Sequence, residues 1–222
     1  MKRLFLLPGY LEDASIFATL RPLLPAVEVL ALDLEPEFAQ WQPSGPVTAV
    51  TFARHLAQRY RIGPQDVLIG HSMGGWLAAH LKAQTGATAV LLSSFTDQRK
   101  IVSRARNPLL LALYAWSGMG RSRWLRARAK RQYRFDESRA LYGELADSMA
   151  RHPRRYVHQQ LQVLFAPVPP LAILPELRVH SRLDNVVRPP DEPFVEIPGD
   201  HFAHYYYPEL VAAAIRQVVG VG

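Results

Sequence analysis

The chain has 222 residues, of which 49% are hydrophobic and 20% are charged, and it contains no cysteine. This composition is typical of a folded globular protein, and the length is compatible with a single domain. Disulfides are excluded, which favours an intracellular setting. The formal net charge of +7 would suit a nucleic-acid, membrane or acidic-protein partner.

The positive charge is concentrated in the middle of the chain. From Asp97 to Ala166 there are 15 Lys or Arg residues and 5 Asp or Glu residues, a net charge of +10. The rest of the chain has 11 basic and 14 acidic residues, a net charge of −3. The basicity is therefore predicted to belong to an inserted segment and not to the whole protein.

The N-terminal segment begins with two basic residues followed by the apolar run Leu4–Leu7. The run ends at Pro8-Gly9, which is short of the roughly 7–15 apolar residues of a secretory signal. Nowhere does the sequence approach the ~18 consecutive apolar residues of a membrane span. We therefore expect a cytoplasmic protein without a transmembrane segment.

Apolar runs alternate with segments of helical periodicity along the chain. The runs predict six strands, at Lys2–Leu7, Val27–Leu34, Asp66–Ile69, Thr88–Leu92, Leu177–His180 and Phe194–Ile197. The periodic segments predict helices at Ser15–Arg21, Thr48–Tyr60, Gly74–Ala83 and Pro208–Val219. This alternation predicts an α/β fold: a mostly parallel sheet of about six strands with helices on both faces. Ligands of such sheets bind at the carboxyl ends of the strands.

The sequence Gly70-His71-Ser72-Met73-Gly74 lies between a predicted strand and a predicted helix. A serine hydroxyl is a poor nucleophile unless a base takes its proton. A tight strand-to-helix turn exposes the oxygen, and glycines relieve the crowding of the backbone there. The pattern is that of a nucleophile elbow, which makes Ser72 the predicted nucleophile. A phosphate-binding loop is disfavoured because no lysine follows the glycines, and a glycine-rich turn with an incidental serine is the simpler alternative.

A base for this serine is predicted after the last strand, at His201. Imidazole, with an ordinary pKa of about 6.5, can accept and return a proton near neutrality. His204, about one turn further on, is the weaker alternative. His71 is assigned a packing role, because in such an elbow its side chain should face away from the reaction.

The carboxylate that orients the base is predicted on the loop after the strand Leu177–His180, at Asp184. Asp200 precedes His201 directly, and sequence neighbours do not easily make the contact to the ring nitrogen. Asp97, which follows the fourth strand, is the alternative acid.

Two backbone N–H groups are predicted to stabilise the oxyanion. Met73 lies in the first turn of the helix after the nucleophile, where its N–H is free. The second donor should come from the loop after the first strand, where Gly9 allows the turn and the N–H of Tyr10 points inward. The N–H of Leu11 is the nearest substitute. No metal ion or organic cofactor is expected.

With these segments the chain resembles the α/β-hydrolase superfamily, whose triad runs in the order Ser…Asp…His. It is most similar to compact bacterial serine esterases and thioesterases, such as the pimeloyl-carrier-protein methyl ester esterases. The likeness covers about residues 2–97 and 170–220. Pro8 stands where the family often has His, and Ser181 where it often has Gly.

The chain starts at the strand that carries the oxyanion loop, so the resemblance implies six strands rather than eight. It divides the chain into an α/β-hydrolase core of residues 1–97 and 166–222 and a helical lid of residues 98–165. The implied activity is hydrolysis of a carboxylic ester or thioester, with a small-molecule or acyl ester substrate, through an acyl-enzyme. Alternatives are a C–C hydrolase, an acyltransferase or a lyase on the same triad, and a non-catalytic binding protein with the same fold.

Within residues 98–165, the apolar segment Asn107–Met119 precedes a dense basic run, formed by Arg121, Arg123, Arg126, Arg128, Lys130, Arg131 and Arg134. As a lid, this insertion would cover the acyl pocket with its apolar face and turn its charges to water. Alternatively, the basic face would dock an acidic acyl carrier protein or lie on a membrane surface beside Trp116 and Trp124. Nucleic-acid binding is disfavoured, because one basic segment on a catalytic scaffold is not a recognition motif.

Overall fold

Six parallel strands form one sheet in this computed structural model, which describes residues 2–102, 107–119, 122–149 and 151–219. The sheet order is β2-β1-β3-β4-β5-β6. The strands are β1 (Arg3–Leu7), β2 (Glu28–Ala31), β3 (Val67–His71), β4 (Thr88–Leu92), β5 (Leu177–His180) and β6 (Val195–Glu196). Since every pairing is parallel, all six carboxyl ends lie at one edge. The predicted α/β fold is confirmed.

Helices cover the sheet and fill the connection between β4 and β5. They are α1 (Leu34–Gln40), α2 (Ala49–Tyr60), α3 (Met73–Thr85), α4 (Pro108–Ser117), α5 (Arg123–Lys130), α6 (Asp136–Met149), α7 (Arg154–Phe165), α8 (Ala203–Tyr206) and α9 (Pro208–Val219). Among the described residues, no helix is both long and apolar enough to cross a membrane.

Alternate residues of the strands enter two separate cores, one on each face of the sheet. On one face, Phe5 and Leu68 share a core with side chains of α2, α3 and α7. On the other, Leu4 and Ile69 share a core with Phe17 and with α9. All of these strand side chains are fully buried, which explains why the strands read as continuous apolar runs and not as alternating ones.

The predicted helix Ser15–Arg21 is wrong, because two 3-10 turns, Ala14–Phe17 and Arg21–Leu23, take its place. Pro22 has no N–H to donate, and so short a segment does not sustain an isolated α-helix. Tertiary packing holds the segment instead, since Phe17 is fully buried.

The predicted strand Val27–Leu34 ends early, and the sequence reasoning missed the helix α1 that follows it. The side chain of Asp33 accepts the N–H of Glu35 at 3.1 Å and caps the helix. An aspartate followed by Glu35-Pro36 in the first turn is a helix-start signal. Here that signal outweighs the apolar run.

Residues 98–165, the segment that we predict to be an insertion and continue to call the insertion, contact the rest of the fold near both ends. Near its start, Ile101 forms an isolated antiparallel bridge with Val187 in the loop after β5. Near its end, α7 is largely buried and accepts a hydrogen bond from the indole of Trp76 at the carbonyl of Val163, 3.1 Å long. The insertion is therefore anchored to the edge of the sheet that carries the predicted site.

Candidate active site

Ser72 stands between β3 and α3 in a backbone conformation that non-glycine residues rarely adopt, with φ 52° and ψ −118°. A Cβ on Gly70 would overlap the backbone of Gly74, and a Cβ on Gly74 would overlap the carbonyl of Leu7. The turn thus presses backbone against backbone, which accounts for both glycines. The N–H of Ser72 donates to the carbonyl of Leu92 at 3.0 Å. Strain held by surrounding structure in this way is typical of functional positions.

His201 and Asp184 form a buried pair across the neighbouring loops. Nδ1 of His201 lies 2.9 Å from Oδ2 and 3.1 Å from Oδ1 of Asp184. The Asp184 carboxylate also accepts the N–H groups of Val186 and Val187 at 2.8 and 2.9 Å. The tight turn after β5 therefore fixes the carboxylate, and the carboxylate fixes the imidazole.

The electrostatics of this pair favour an imidazolium beside an ionised carboxylate. Burial alone would raise the pKa of Asp184, but the charge and hydrogen bond of His201 and the N–H of Val187 hold it below its usual value. Burial alone would lower the pKa of His201, but the Asp184 carboxylate, with Glu12 and Asp200, raises it above 6.5. A base that must take up a proton during a reaction needs this kind of stabilisation.

Two cavities meet at Ser72. One, of about 190 Å³, is also lined by His201, Glu12 and Tyr133. The other, of about 520 Å³, has an almost wholly apolar wall, which includes Phe95, Ile101, Leu110, Leu111, Leu113, Leu161 and Val187. Both reach Tyr10 as well. A substrate whose reacting carbon lies at Ser72 can extend an apolar group into the larger cavity and a second group past His201.

The predicted oxyanion donors lie close to this junction. Leu7 pairs with Gly70, so the loop that carries Tyr10 leaves β1 beside the elbow. Met73 is the first residue of α3, and its N–H has no acceptor within the helix. The N–H of Leu11, the alternative oxyanion donor, already donates to Oε1 of Gln160 at 3.0 Å.

The sequence predicted that glycine is needed at position 9 to allow the turn, but the structure gives a different reason. Its φ is not positive; the left-handed residue of the loop is Leu11, at φ 60°. A Cβ on Gly9 would lie 2.6 Å from Oε2 of Glu12. The missing side chain therefore makes room for a carboxylate that the sequence reasoning did not single out, since an acidic residue in a loop usually faces solvent.

The alternative triad residues lie elsewhere. Asp97 forms an ion pair with Arg99 on the surface, and among the described residues it makes no contact with His201. His204 lines neither of the cavities at Ser72. Its ring is buried 4.0 Å from that of His71, and burial lowers its pKa well below 6.5.

His71 does more than pack. Its Nδ1 lies 2.8 Å from Oε2 of Glu12, and its Nε2 lies 3.0 Å from the carbonyl oxygen of His201.

Within the part of the chain that the structure describes, no cluster of His, Asp and Glu side chains is arranged to hold a metal ion. The prediction of a cofactor-free site stays a prediction.

A strained serine at the carboxyl edge of a parallel sheet, facing a cavity shared with a histidine that is paired with a buried aspartate, is typical of hydrolases with a nucleophile elbow. The sequence profile of the alpha/beta hydrolase family matches residues 4–214. The chain belongs to this family, and membership supports a hydrolase activity in general. A search of curated proteins found no match.

Solved structures share the fold at low sequence identity. A hydrolase from Oleispira antarctica has a TM-score of 0.75 at 13% identity, covering 100% of this chain and 92% of its own. A thermophilic esterase from Thermogutta terrifontis has a TM-score of 0.69 at 18% identity, covering 98% and 88%. An enol-lactonase from Burkholderia xenovorans LB400 has a TM-score of 0.71 at 14% identity, covering 99% and 92%. At these identities, the likeness shows the fold alone.

Proposed function

We propose that the protein is a serine carboxylesterase in which Ser72 is the nucleophile, His201 the general base and Asp184 its orienter. One observation carries the proposal. The strained serine and an imidazole paired with a buried carboxylate at 2.9 Å line the same cavity. A serine nucleophile requires a base within reach of its hydroxyl, and a cavity lined by both Ser72 and His201 supports that role for His201.

The mechanism follows from which ring nitrogen is free. Nδ1 of His201 is held by Asp184, so Nε2 is the nitrogen that takes the proton of the Ser72 hydroxyl. The serine oxygen attacks the ester carbonyl, and the N–H groups of Met73 and Tyr10 stabilise the oxyanion. The imidazolium then protonates the departing alcohol or thiol. Water, deprotonated by the same imidazole, attacks the acyl-enzyme, releasing the acid and restoring the serine.

The two cavities support an assignment of the two halves of the substrate. We assign the apolar acyl group to the cavity of about 520 Å³, a volume within the range of small-molecule sites. The leaving group is assigned to the cavity of about 190 Å³ beside His201. In this assignment, the insertion is a lid, since Leu110, Leu111 and Leu113 of α4 form part of the wall. Esters and thioesters of one acid give the same acyl-enzyme, so both are included.

Hydrolysis is preferred to the acyl-transfer and lyase reactions of this triad because the family whose profile matches the chain is a hydrolase family. The test is a series of p-nitrophenyl esters from acetyl to palmitoyl, together with acyl thioesters. Turnover should depend on Ser72, and a fluorophosphonate probe should label the wild type but not Ser72→Ala. Product analysis in water with an alcohol added separates hydrolysis from acyl transfer. A wild type that neither turns over nor labels would instead be a non-catalytic binding protein.

An acidic acyl carrier protein is the partner we infer for the basic part of the insertion. Arg123, Arg128, Lys130 and Arg131 are exposed on and just after α5, a surface that complements an acidic partner. Arg126 does not belong to it, because its guanidinium binds Asp147 and the carbonyl of Ala146 on α6. Arg121, part of the basic run predicted from the sequence, lies outside the described residues.

The docking hypothesis is tested by charge reversal at Arg123 and Arg128. Turnover of a carrier-bound substrate should fall and lose its salt dependence, because electrostatic steering acts mainly on the association rate. Turnover of a small ester should be unchanged. Reversal of Arg21 and Arg54, both exposed and outside the insertion, is the matched control. Equal losses on both substrates would contradict carrier docking, and co-sedimentation with anionic liposomes would favour a membrane surface instead.

A further inference from the structure

A buried carboxylate connects three segments of the site. Glu12 lies in the loop after β1 and is 6% exposed. Its Oε2 accepts the N–H of Gly9 at 2.6 Å and lies 2.8 Å from Nδ1 of His71 in the elbow. His71 is fully buried, and its Nε2 lies 3.0 Å from the carbonyl oxygen of His201. The chain of contacts thus runs from the oxyanion loop, through the elbow, to the backbone of the base.

The acceptors in this network determine where its protons lie. The carbonyl oxygen of His201 can only accept, so Nε2 of His71 carries a proton. A second proton then lies between Nδ1 of His71 and Oε2 of Glu12, either on the ring or on the carboxyl group. A buried polar network whose members are all satisfied favours a single geometry.

We propose that Glu12 is a positioning residue, which acts through His71 to hold the Gly9–Tyr10 segment in a fixed relation to His201. The inference rests on the proposed function, in which Tyr10 supplies an oxyanion donor and His201 the base. Gly9 directly precedes Tyr10, so a bond to its N–H orients the chain at that donor. Glu12 itself neither gives nor takes a proton in the reaction.

The local backbone is shaped around this carboxylate. A side chain at position 9 would meet Oε2, and the N–H of Glu12 returns to the carbonyl of Gly9 at 3.3 Å. Leu11, between them, adopts a left-handed φ of 60°, a conformation that surrounding contacts must impose on a leucine. The loop is therefore held in a conformation that a solvated surface acid would not require.

Glu12→Gln tests the proposal with almost no change of shape. If the amide oxygen takes the place of Oε2, a neutral His71 cannot donate both to it and to the His201 carbonyl. If the amide nitrogen takes that place, it can donate to Nδ1 of His71, but the N–H of Gly9 loses its acceptor. Either way, one contact of the network is lost. We expect kcat for a small ester to fall by about 10²-fold, the effect of a misplacement of about 1 Å, with KM little changed. The affinity for a boronic acid, which forms a tetrahedral adduct with the serine, should fall in parallel.

A second buried glutamate provides the matched control. Glu37 is 3% exposed and pairs with His55 at 3.4 Å and with Arg59, away from the cavities at Ser72. Glu37→Gln should lower the unfolding temperature and leave kcat and boronic acid affinity unchanged. For Glu12→Gln, unchanged fluorophosphonate labelling stoichiometry shows that the fold and the nucleophile are intact. His71→Gln should also lower kcat. The double variant, with Glu12→Gln added, should lose no more kcat than the worse of the two single variants, because the two residues act as a unit.

Several outcomes would overturn the inference. Wild-type kcat and boronic acid affinity in Glu12→Gln would do so while leaving the proposed function intact, as would additive losses in the double variant. If Glu12→Gln does not fold, His71→Gln is read by the same criteria, and failure of both to fold would assign the network to stability alone. Equal inactivity of the wild type and Ser72→Ala would refute the proposed function first.

Discussion

The carboxyl edge of the sheet and the insertion meet at Ser72 but are built differently. At the edge, the side chains proposed for catalysis are almost wholly buried, and the ring nitrogens of His201 and His71 that face protein have hydrogen-bond partners. In the insertion, Leu109 is 79% exposed and Trp124 69% exposed. In our proposal, the chemistry is assigned to the buried region and the substrate's apolar part to the region with large exposed apolar side chains.

This difference in burial suggests that the carboxyl edge determines the reaction rate and the insertion determines substrate preference. Catalysis requires reacting groups held to within a fraction of an ångström, which close packing and hydrogen bonds around those groups provide. Recognition of an acyl group or of a partner requires exposed apolar and charged surface, which a packed core cannot offer. Changes at the edge should therefore act on rate, and changes in the insertion on substrate preference.

The largest expected effect comes from Asp184→Asn at the edge. Loss of the carboxylate removes the group that selects the imidazole tautomer, and kcat should fall by about 10⁴-fold, as in other triads. Asp97→Asn is the control, because Asp97 pairs with Arg99 on the surface and its loss should leave kcat near the wild-type value. Similar losses in both variants would break the distinction between the edge and its surroundings.

Gly74→Ala tests whether the edge is as closely packed as its geometry indicates. A Cβ at this position would overlap the carbonyl of Leu7, and relief requires β1 and α3 to separate. We expect the free energy of unfolding to fall by about 3 kcal/mol, as for strongly overpacked cores. Gly45→Ala, whose Cβ would meet nothing within 4 Å, should change it little. Chemical denaturation of both variants makes the comparison, and equal stabilities would contradict the packing.

Leu113→Ala tests the role of the insertion. Leu113 lines the larger cavity although it is half-exposed, so its truncation should lower kcat/KM for longer acyl chains by about 10-fold and barely affect acetyl esters. Leu109 lies on the same helix but does not line that cavity. A Leu109→Ala variant that showed the same loss would remove the assignment of the acyl group.

The pH profile gives the smallest and most specific signal. Burial lowers the pKa of His201, but the charge and hydrogen bond of Asp184 raise it above 6.5, so the base is protonated and inactive up to a higher pH than usual. The acid limb of kcat/KM should therefore have a midpoint above 6.5, and Asp184→Asn should move it down. Three other imidazoles, of His71, His180 and His204, lie around this ring. Burial lowers the pKa values of His180 and His204. A midpoint below 6.5 would show that desolvation outweighs the carboxylates.

The sheet and the elbow could be predicted from sequence because their determinants are local. Apolar runs with glycine and proline at their ends mark buried strands, and the two glycines around Ser72 are required by close backbone approach. Asp184 could be chosen over Asp97 only by its place in the chain order, and its assignment as the orienting acid stays a proposal supported by the hydrogen bond to His201.

The Glu12–His71 pair could not be predicted in the same way. The two residues are 59 positions apart, and each has a common explanation alone, a solvated loop acid and a packing histidine. Their contact depends on the left-handed backbone conformation of Leu11 and on the pairing of β1 with β3. No residue pattern in the sequence predicts either feature. From the sequence, the apolar part of the insertion was expected to cover an acyl pocket, but the residues after β4 and β5 that complete the wall of the larger cavity, such as Phe95 and Val187, could not be identified.

Gln160 connects the α7 part of the insertion to the loop after β1. Its side chain is fully buried in α7, holds the N–H of Leu11 and donates to the hydroxyl of Tyr156 at 2.8 Å. An engineer who grafts a foreign cap onto this scaffold to change its substrate range should therefore retain α7, together with Ser138 of α6, which donates to Asp200 beside the proposed base at 2.6 Å. A graft that also exchanged α7 would release the loop after β1 and slow every substrate alike, whatever the new cap was chosen to accept.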